Sequence, residues 1–313
     1  MTEKNKQSTK KIKPLVTIIL RAYNQETFIL EAMEGVFSQT YEPLEILISD
    51  DASTDGTFEI IKESVIQYKG PHTIRVNQNT QNLGIGSHLG FSAGLASGEY
   101  IVMADGDDIS LPNRVEKLMD VVFEYGELGA VFGRYHAFSD QFVDEGNWKP
   151  DHAKDGYIIR GRNPADWFTN SKKGKVVGMP GGVGMWNKKL FKDFSPLPPG
   201  VIAGDFILGC RALFSGLGVG FTSAKMVHYR NHESNIYNGV RRELWEKRVF
   251  FSKAVIYRDL MEYRKKNPDV YSKEVWDQIF CYFETMLFRS TVILRRIFLG
   301  RFWSRVLFLI GLK

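Results

Sequence analysis

Short apolar runs alternate with stretches of helical spacing through the N-terminal part of the chain. Leu15 to Leu20 (L-V-T-I-I-L) is largely β-branched and predicts a strand buried on both faces. Glu26 to Ser38 places Phe28, Ile29, Ala32, Met33, Val36 and Phe37 at helical intervals. A second apolar run, Leu44 to Ser49, is followed by a helical pattern over Thr57 to Tyr68, and Ile74 to Val76 reads as a short strand. His88 to Ala96 predicts a helix despite its glycines, ahead of a strand over Tyr100 to Ala104. The alternation is a βαβαβ pattern of the doubly wound type.

In open parallel sheets, ligands sit beyond the carboxyl ends of the strands. Those ends carry Tyr23, then Asp50 with Asp51, then Asp105, Asp107 and Asp108, so polar groups converge where a nucleotide diphosphate would lie. The last cluster, in Y-I-V-M-A-D-G-D-D-I-S-L-P, packs three carboxylates into four positions. Their mutual repulsion calls for a cation or a set of donors, and Mg²⁺ or Mn²⁺ with open positions for phosphate oxygens would satisfy it. Asp is also a common turn and N-cap residue, so the residues alone admit a solvated acidic turn equally well.

Further along, Arg114 to Glu124 predicts a helix and Ala130 to Tyr135 an apolar strand. Ser139 to Lys175 is polar and irregular, with Trp148 and Trp167, a character that fits substrate-contacting loops as well as plain packing. The glycine-dense V-G-M-P-G-G-V-G-M-W marks a place of close backbone approach. Asp205 opens another helical run after the loop Pro196 to Gly200.

The composition, 313 residues with 43% hydrophobic and 25% charged positions, suits one large or two modest domains. Charge is unevenly placed. Residues 1–13 carry +4 and residues 286–313 carry +6, so a net charge of +5 leaves the body at −5. That distribution argues against a nucleic-acid-binding face over the fold and for ends that meet an anionic surface. Cys210 and Cys281 fit no metal spacing and predict reduced thiols in a cytosolic compartment. No apolar signal segment is visible at the N-terminus.

Several motifs occur in a diagnostic order: Asn24, then I-L-I-S-D-D-A-S-T-D-G-T, N-L-G, A-S-G-E-Y-I and M-A-D-G-D-D-I-S-L-P. Over about Pro14 to Asn238 the chain resembles the family 2 glycosyltransferases of the GT-A fold, the inverting type common in bacterial envelope-glycan synthesis. The resemblance implies an α/β fold: a GT-A, Rossmann-like, mostly parallel sheet flanked by helices. It implies that Tyr23, Asp51 and Asp105 bind the donor nucleotide, with uridine the preferred base. Asp107 and His232, the latter in Y-R-N-H, would hold Mn²⁺ or Mg²⁺ against the diphosphate, and Asp108 would cap or orient its loop. Asp205 would be the general base. Leu89 with Gly90 stands where relatives often carry Arg-Asn, which leaves Arg21, His88 and Arg230 as candidate diphosphate contacts. Gly204 replaces the Glu that usually precedes Asp205, which keeps open a catalytically inactive nucleotide-sugar-binding or scaffolding protein. A nucleotidyltransferase of similar architecture would require a Gly- and Lys-rich triphosphate loop, which R-A-Y-N-Q is not.

The expected organisation is a disordered basic tail over 1–13, a GT-A domain over 14–239 with nucleotide-binding (14–112) and acceptor (113–239) halves, and a helical C-terminal extension over 240–313. Residues 286–312 alternate apolar groups with Arg289, Arg295, Arg296, Arg301 and Arg305. They leave no run of about 18 apolar residues, so an in-plane helix on a membrane surface is expected rather than a spanning one. A helix packed on the core or on a partner subunit is the alternative. The expected activity is metal-dependent transfer of a sugar from a nucleoside diphosphate sugar to a glycan or lipid-linked hydroxyl, at the inner face of the cell membrane, in surface polysaccharide assembly.

Overall fold

The computed structural model describes residues 12–139, 158–159, 181–233, 235 and 242–297. Trp148, Trp167, most of the expected substrate loop, residues 1–11 of the basic tail expected over 1–13 and residues 298–313 lie outside them. Four parallel strands form the N-terminal half of the sheet: β1 (Val16–Ala22), β2 (Leu44–Asp50), β3 (Thr73–Gln78) and β4 (Tyr100–Asp105). β1 and β2 are buried almost throughout, as an apolar run covered on both faces must be. β3 extends beyond the expected short strand and is the exposed edge, which explains its polar sequence.

The remaining strands are β5 (Ile109–Ser110), β6 (Ala130–Phe138), β7 (Ile158–Ile159), β8 (Gly184–Asn187) and β9 (Val219–Arg230). Among the described residues the sheet runs β3-β2-β1-β4-β8-β6-β9-β5, with β7 also on β9. β8 is antiparallel to both neighbours, while β6 and β9 are parallel, so the sheet is mixed past β4.

One face is covered by α1 (Ile29–Phe37), α2 (Thr57–Gln67) and α4 (Arg114–Tyr125), whose Met33, Val36, Ile61, Leu118 and Met119 meet Ile18, Ile46 and Val102. The other face carries α3 (Ile85–Leu95), the short α5 (Lys189–Lys192) and α6 (Gly204–Phe214), followed by two long C-terminal helices, α7 (Arg242–Lys266) and α8 (Lys273–Ile297). Val255, Ile256, Leu260, Trp276, Ile279 and Phe283 of these helices belong to the same core as Ile19, Met103 and Phe214. The C-terminal extension is therefore part of the fold over its described length. Its attachment includes a fully buried ion pair, Arg211 Nε to Asp259 Oδ2 at 2.7 Å, and Arg211 also donates to the carbonyls of Leu190 and Ser195.

The basic amphipathic segment expected from Met286 begins inside α8 and not as a helix of its own. Among the described residues no helix is long and apolar enough to cross a membrane.

Candidate active site

Strand register sets the level of the site. Arg21 pairs with Asp105 across β1 and β4, and Ala22 with Asp50 across β1 and β2, so the carboxyl ends of three neighbouring strands finish side by side. Asp50 is buried and accepts from Ser53 N at 3.0 Å and from the Ser53 hydroxyl, which fixes the turn leading into α2. Asp51 is buried too. It accepts from Asn79 Nδ2 at 2.7 Å and from the backbone N–H of Leu83 and Gly84 at 2.9 Å. Gly84 has φ +76°, a conformation that favours glycine and that aims its N–H at Asp51 just where α3 starts. Tyr23, which follows the end of β1, is exposed.

The D-G-D-D turn after β4 holds its three carboxylates in different environments. Asp105 is ion-paired with Arg21. Asp107 Oδ2 lies 3.1 Å from His232 Nε2. Burial and the charge of Asp105 raise the Asp107 pKa, against the pull of His232. Asp108 is buried and accepts from Arg230 N at 3.0 Å. Burial, then the charges of Asp107 and Asp105, push its pKa well above the usual carboxylate range. The expected loop-orienting role of Asp108 fits this contact, which ties the turn to the end of β9.

Asp205 sits in the first turn of α6 on the other side of the turn Gly181–Val183. Its Oδ2 accepts from Gly181 N at 3.1 Å and its Oδ1 from Phe206 N at 2.8 Å. Burial raises its pKa, while those two N–H groups and the Arg21 charge oppose the rise. A Cβ on Gly181 would stand 3.2 Å from Asp205 Cβ, and one on Gly182 would stand 3.4 Å from Asp105 Oδ2 and 3.5 Å from Asp108 Oδ2. This pair of glycines thus forms the floor between Asp205 and the acidic turn. The glycine-dense motif, read from sequence as close backbone approach, has that role here.

The candidate diphosphate contacts separate. His88 is buried within α3, with Nε2 2.8 Å from Ser49 Oγ and Nδ1 3.9 Å from Asp51. Burial, together with Arg21, lowers its pKa to about 4 despite the nearby carboxylates, so it is neutral and supports Asp51 from behind instead of offering a cation. Arg21 lies opposite Asp105 on the neighbouring strand and is ion-paired with it. Arg230 is buried, donates to Glu31 Oε2 at 2.8 Å and packs against the rings of Phe28 and Phe138. Both arginines are engaged with carboxylates before any ligand arrives. Leu89 fills the space beside Gly204, where a Cβ would meet Leu89 Cδ2 at 2.6 Å. The two departures from the family motifs are therefore one packing contact.

Four contributors escape a reading of the sequence. Arg114 is fully buried beneath the acidic turn and donates to Gly182 O and Ser110 Oγ, each at 2.9 Å. Burial lowers its pKa to about 10, while the charges of Asp105 and Asp108 sustain it. Phe28 and Glu31 of the α1 region hold the end of β9: Phe28 packs on the His232 ring at 4.7 Å and Glu31 pairs with Arg230. Asn235 donates to Arg230 O and accepts from His232 N, closing the turn that presents His232. Arg114 looked like an ordinary helix-start residue, and nothing local announced the other contacts.

A metal fits this arrangement in one way. Among the described residues no three His, Cys, Asp or Glu side chains gather as a ligand set. Asp107 and His232 form a two-residue set beside a carboxylate-rich turn, and Mg²⁺ commonly takes one or two protein ligands when substrate phosphates and water complete the shell.

The acidic turn beyond a parallel sheet, facing a carboxylate at a helix start, agrees with what comparison with known proteins finds. A model of the family described as glycosyl transferase family 2 matches residues 17–194, more than half of the chain. The chain belongs to glycosyl transferase family 2. EpsE of Bacillus subtilis is 39% identical to it over 104 residues, 33% of this chain and 37% of EpsE. The match spans about a third of the length of EpsE and of a Haemophilus influenzae glycosyltransferase that is likewise 39% identical. Its fold is GT-A. The structure of Staphylococcus aureus TarS residues 1–349 in complex with UDP-GlcNAc superposes with a TM-score of 0.63 at 17% identity, covering 86% of this chain and 71% of that one. The mannosyltransferase PcManGT of Pyrobaculum calidifontis, in complex with GDP-Man and Mn²⁺, gives a TM-score of 0.56 at 16% identity over 96% of this chain and 80% of that one. At those identities the likeness is one of fold.

Proposed function

We propose that the protein is a metal-dependent inverting glycosyltransferase that moves a sugar from a nucleoside diphosphate sugar, preferentially a UDP-sugar, to a hydroxyl of a glycan or lipid-linked acceptor. The observation that carries this reading is the pairing of Asp107 with His232 at 3.1 Å. It sets a two-residue ligand pair on one side of a glycine floor, with Asp205 on the other. That separation is what displacement at an anomeric carbon needs, a base on one side and charge neutralisation on the leaving side. TarS with UDP-GlcNAc and PcManGT with GDP-Man and Mn²⁺ share the fold and support the donor class and the metal.

Asp205 takes the proton from the acceptor hydroxyl as the new bond forms. A carboxylate can do so because the hydroxyl becomes acidic only in the transition state. Its two backbone donors orient the carboxylate, and the bare Gly181–Gly182 floor leaves room for the sugar. Asp51 fixes the 79–84 loop, and with Tyr23 at the end of β1 it would face the base of the nucleotide. Asp107 and His232 would hold Mn²⁺ or Mg²⁺, which supplies positive charge to the departing diphosphate. The basic C-terminal segment, with its arginines, suits attachment to an anionic membrane surface at roughly 1 kcal/mol per basic residue. A cytoplasmic, membrane-peripheral enzyme of surface polysaccharide assembly is the setting we favour.

Calorimetric titration of a panel of nucleoside diphosphates, with and without Mn²⁺, tests the donor site. Metal-dependent binding of one nucleotide, lost in Asp107→Ala, is expected. Binding that ignores both metal and Asp107 would make the acidic turn structural. Donor binding without turnover on any acceptor tested would favour an inactive binding protein.

A further inference from the structure

α3 is wedged between the two halves of the site. Immediately before it, the N–H groups of Leu83 and Gly84 each donate to Asp51 at 2.9 Å, so the helix begins against the carboxylate assigned to the nucleotide base. Along its length it interlocks with the segment that leads to Asp205. A Cβ on Gly86 would stand 2.6 Å from Val201 O and 2.7 Å from Val201 Cβ, so only a bare backbone fits there. At Leu89, three residues on and on the same side of the helix, the roles reverse. The Leu89 side chain occupies the space that a Cβ of Gly204 would need, with Cδ2 2.6 Å from that point and Leu197 Cδ1 3.6 Å from it. Leu89, Leu197 and Val201 belong to one buried cluster.

Gly204 directly precedes Asp205 and opens α6. Its φ is not positive, so the backbone makes no demand for glycine, and within a helix alanine would be the better residue. The demand is steric and comes from Leu89. That side chain is 4% exposed in a close-packed core, so it gives way only by displacing its neighbours. Asp205 also meets the glycine floor, where its Oδ2 accepts from Gly181 N at 3.1 Å. The seat of the carboxylate is thus defined by the Leu89–Gly204 contact and by the Gly181 hydrogen bond.

We propose that Leu89 is a positioning residue for Asp205, and that α3 is the strut that keeps Asp205 at a fixed separation from the loop held by Asp51. The proposal deepens the transferase reading, since it rests on Asp205 as the base. It gives the two departures from the family motifs a common purpose: bulk on α3 is matched by the absence of bulk on α6, and the match sets where the base stands. It also ties the donor side to the acceptor side, because one rigid helix touches both.

The experiment is a double-mutant cycle in the full chain. Gly204→Ala adds a methyl group against Leu89, and Leu89→Val withdraws the δ carbons, so the double variant conserves total side-chain volume. Two quantities are read: kcat at saturating donor, and the backbone amide resonance of Gly181 by ¹H–¹⁵N NMR, which reports the hydrogen bond to Asp205 without turnover. Gly204→Ala should shift that amide and lower kcat about tenfold to a hundredfold, as small misplacements of a reacting group do. Its nucleotide affinity should stay within a few-fold of wild type. Leu89→Val alone loosens the same contact without a clash and should move both quantities by less, and the double variant should return both most of the way to wild type. Wild-type kcat with an unmoved Gly181 amide in both single variants overturns the proposal. So does a loss in Gly204→Ala that the double variant, folded with a wild-type thermal midpoint, fails to recover. A fall in nucleotide affinity that matches the loss in kcat also overturns it, since α3 would then act on donor binding alone. A chain that turns over no acceptor, yet whose Gly181 amide moves and returns through the cycle, overturns the transferase reading and leaves the hold of Leu89 on Asp205 standing.

Discussion

His232 and Asp107, 125 positions apart in sequence, meet with Nε2 and Oδ2 at 3.1 Å. Phe28, Arg230 and Asn235 build the support that presents the histidine, so the pair is made by three separate parts of the chain. A two-residue ligand set loses most of its metal affinity when either member is removed. His232→Ala should weaken Mn²⁺-dependent nucleotide binding by tenfold or more, and Glu31→Gln, which acts through Arg230, should do so by less. Calorimetry at fixed Mn²⁺ measures both, and equal binding by wild type and His232→Ala would remove the histidine from the set.

Asp205→Asn keeps an acceptor for Gly181 N and removes the proton-accepting charge. Turnover should fall about 10²–10⁴-fold, the usual contribution of a general base. Nucleotide binding should stay within a few-fold of wild type, because Asp205 lies across the glycine floor from the acidic turn. A matched loss of nucleotide affinity would place Asp205 in the donor site instead.

Gly182 tests that floor directly. A methyl group there would contact carboxylate oxygens of both Asp105 and Asp108 and intrude on the space between them and Asp205. Gly182→Ala should cut donor affinity at least tenfold while changing the thermal midpoint little. A variant that binds the donor as well as wild type would show that the floor is not part of the site.

The C-terminal helices are held to the domain by the Arg211–Asp259 pair, whose side chains are 1% and 0% exposed. Asp259→Ala leaves a buried guanidinium without its counter-ion and should destabilise the chain by about 3–5 kcal/mol. Replacing both residues with apolar side chains of similar volume should cost less than the single change. Urea denaturation of the three proteins settles the order.

His88 makes stability depend on pH. Its pKa in the folded chain is lowered to about 4, beneath the ordinary histidine value of about 6.5, chiefly by burial. The unfolded chain therefore gains a proton as pH falls through about 6.5, while the folded chain does not until about pH 4. The stability is present above the upper value and is lost as pH falls across that window, by about 3 kcal/mol. His88→Gln should flatten the dependence of the unfolding free energy between those pH values, and an unchanged slope would show that His88 is not the responsible group.

The parallel core was legible because β1, β2 and β4 are buried on both faces and have to be apolar throughout. The placement of Asp51, Asp105, Asp107 and Asp205 was legible because strand ends and helix starts are where a sheet of this type presents polar groups; the roles suggested by the ordered motifs belong to the proposed function. Hidden from the sequence were β8, inserted antiparallel between β4 and β6, and Arg114, whose charge lies beneath the acidic turn. Leu89 and Gly204 looked like two separate losses until packing put one against the other.

Local periodicity and residue chemistry by themselves determined which segments are strands and helices and which carboxylates end them, because both depend on near neighbours in the chain. Only the tertiary structure decided which charges meet. Arg21 serves the acidic turn, His88 turns neutral behind Asp51, Arg230 is spent on Glu31, and α7 closes on Arg211. Each outcome depends on burial and on distances between residues remote in sequence, and electrostatic energy is set by those distances and by the exclusion of water.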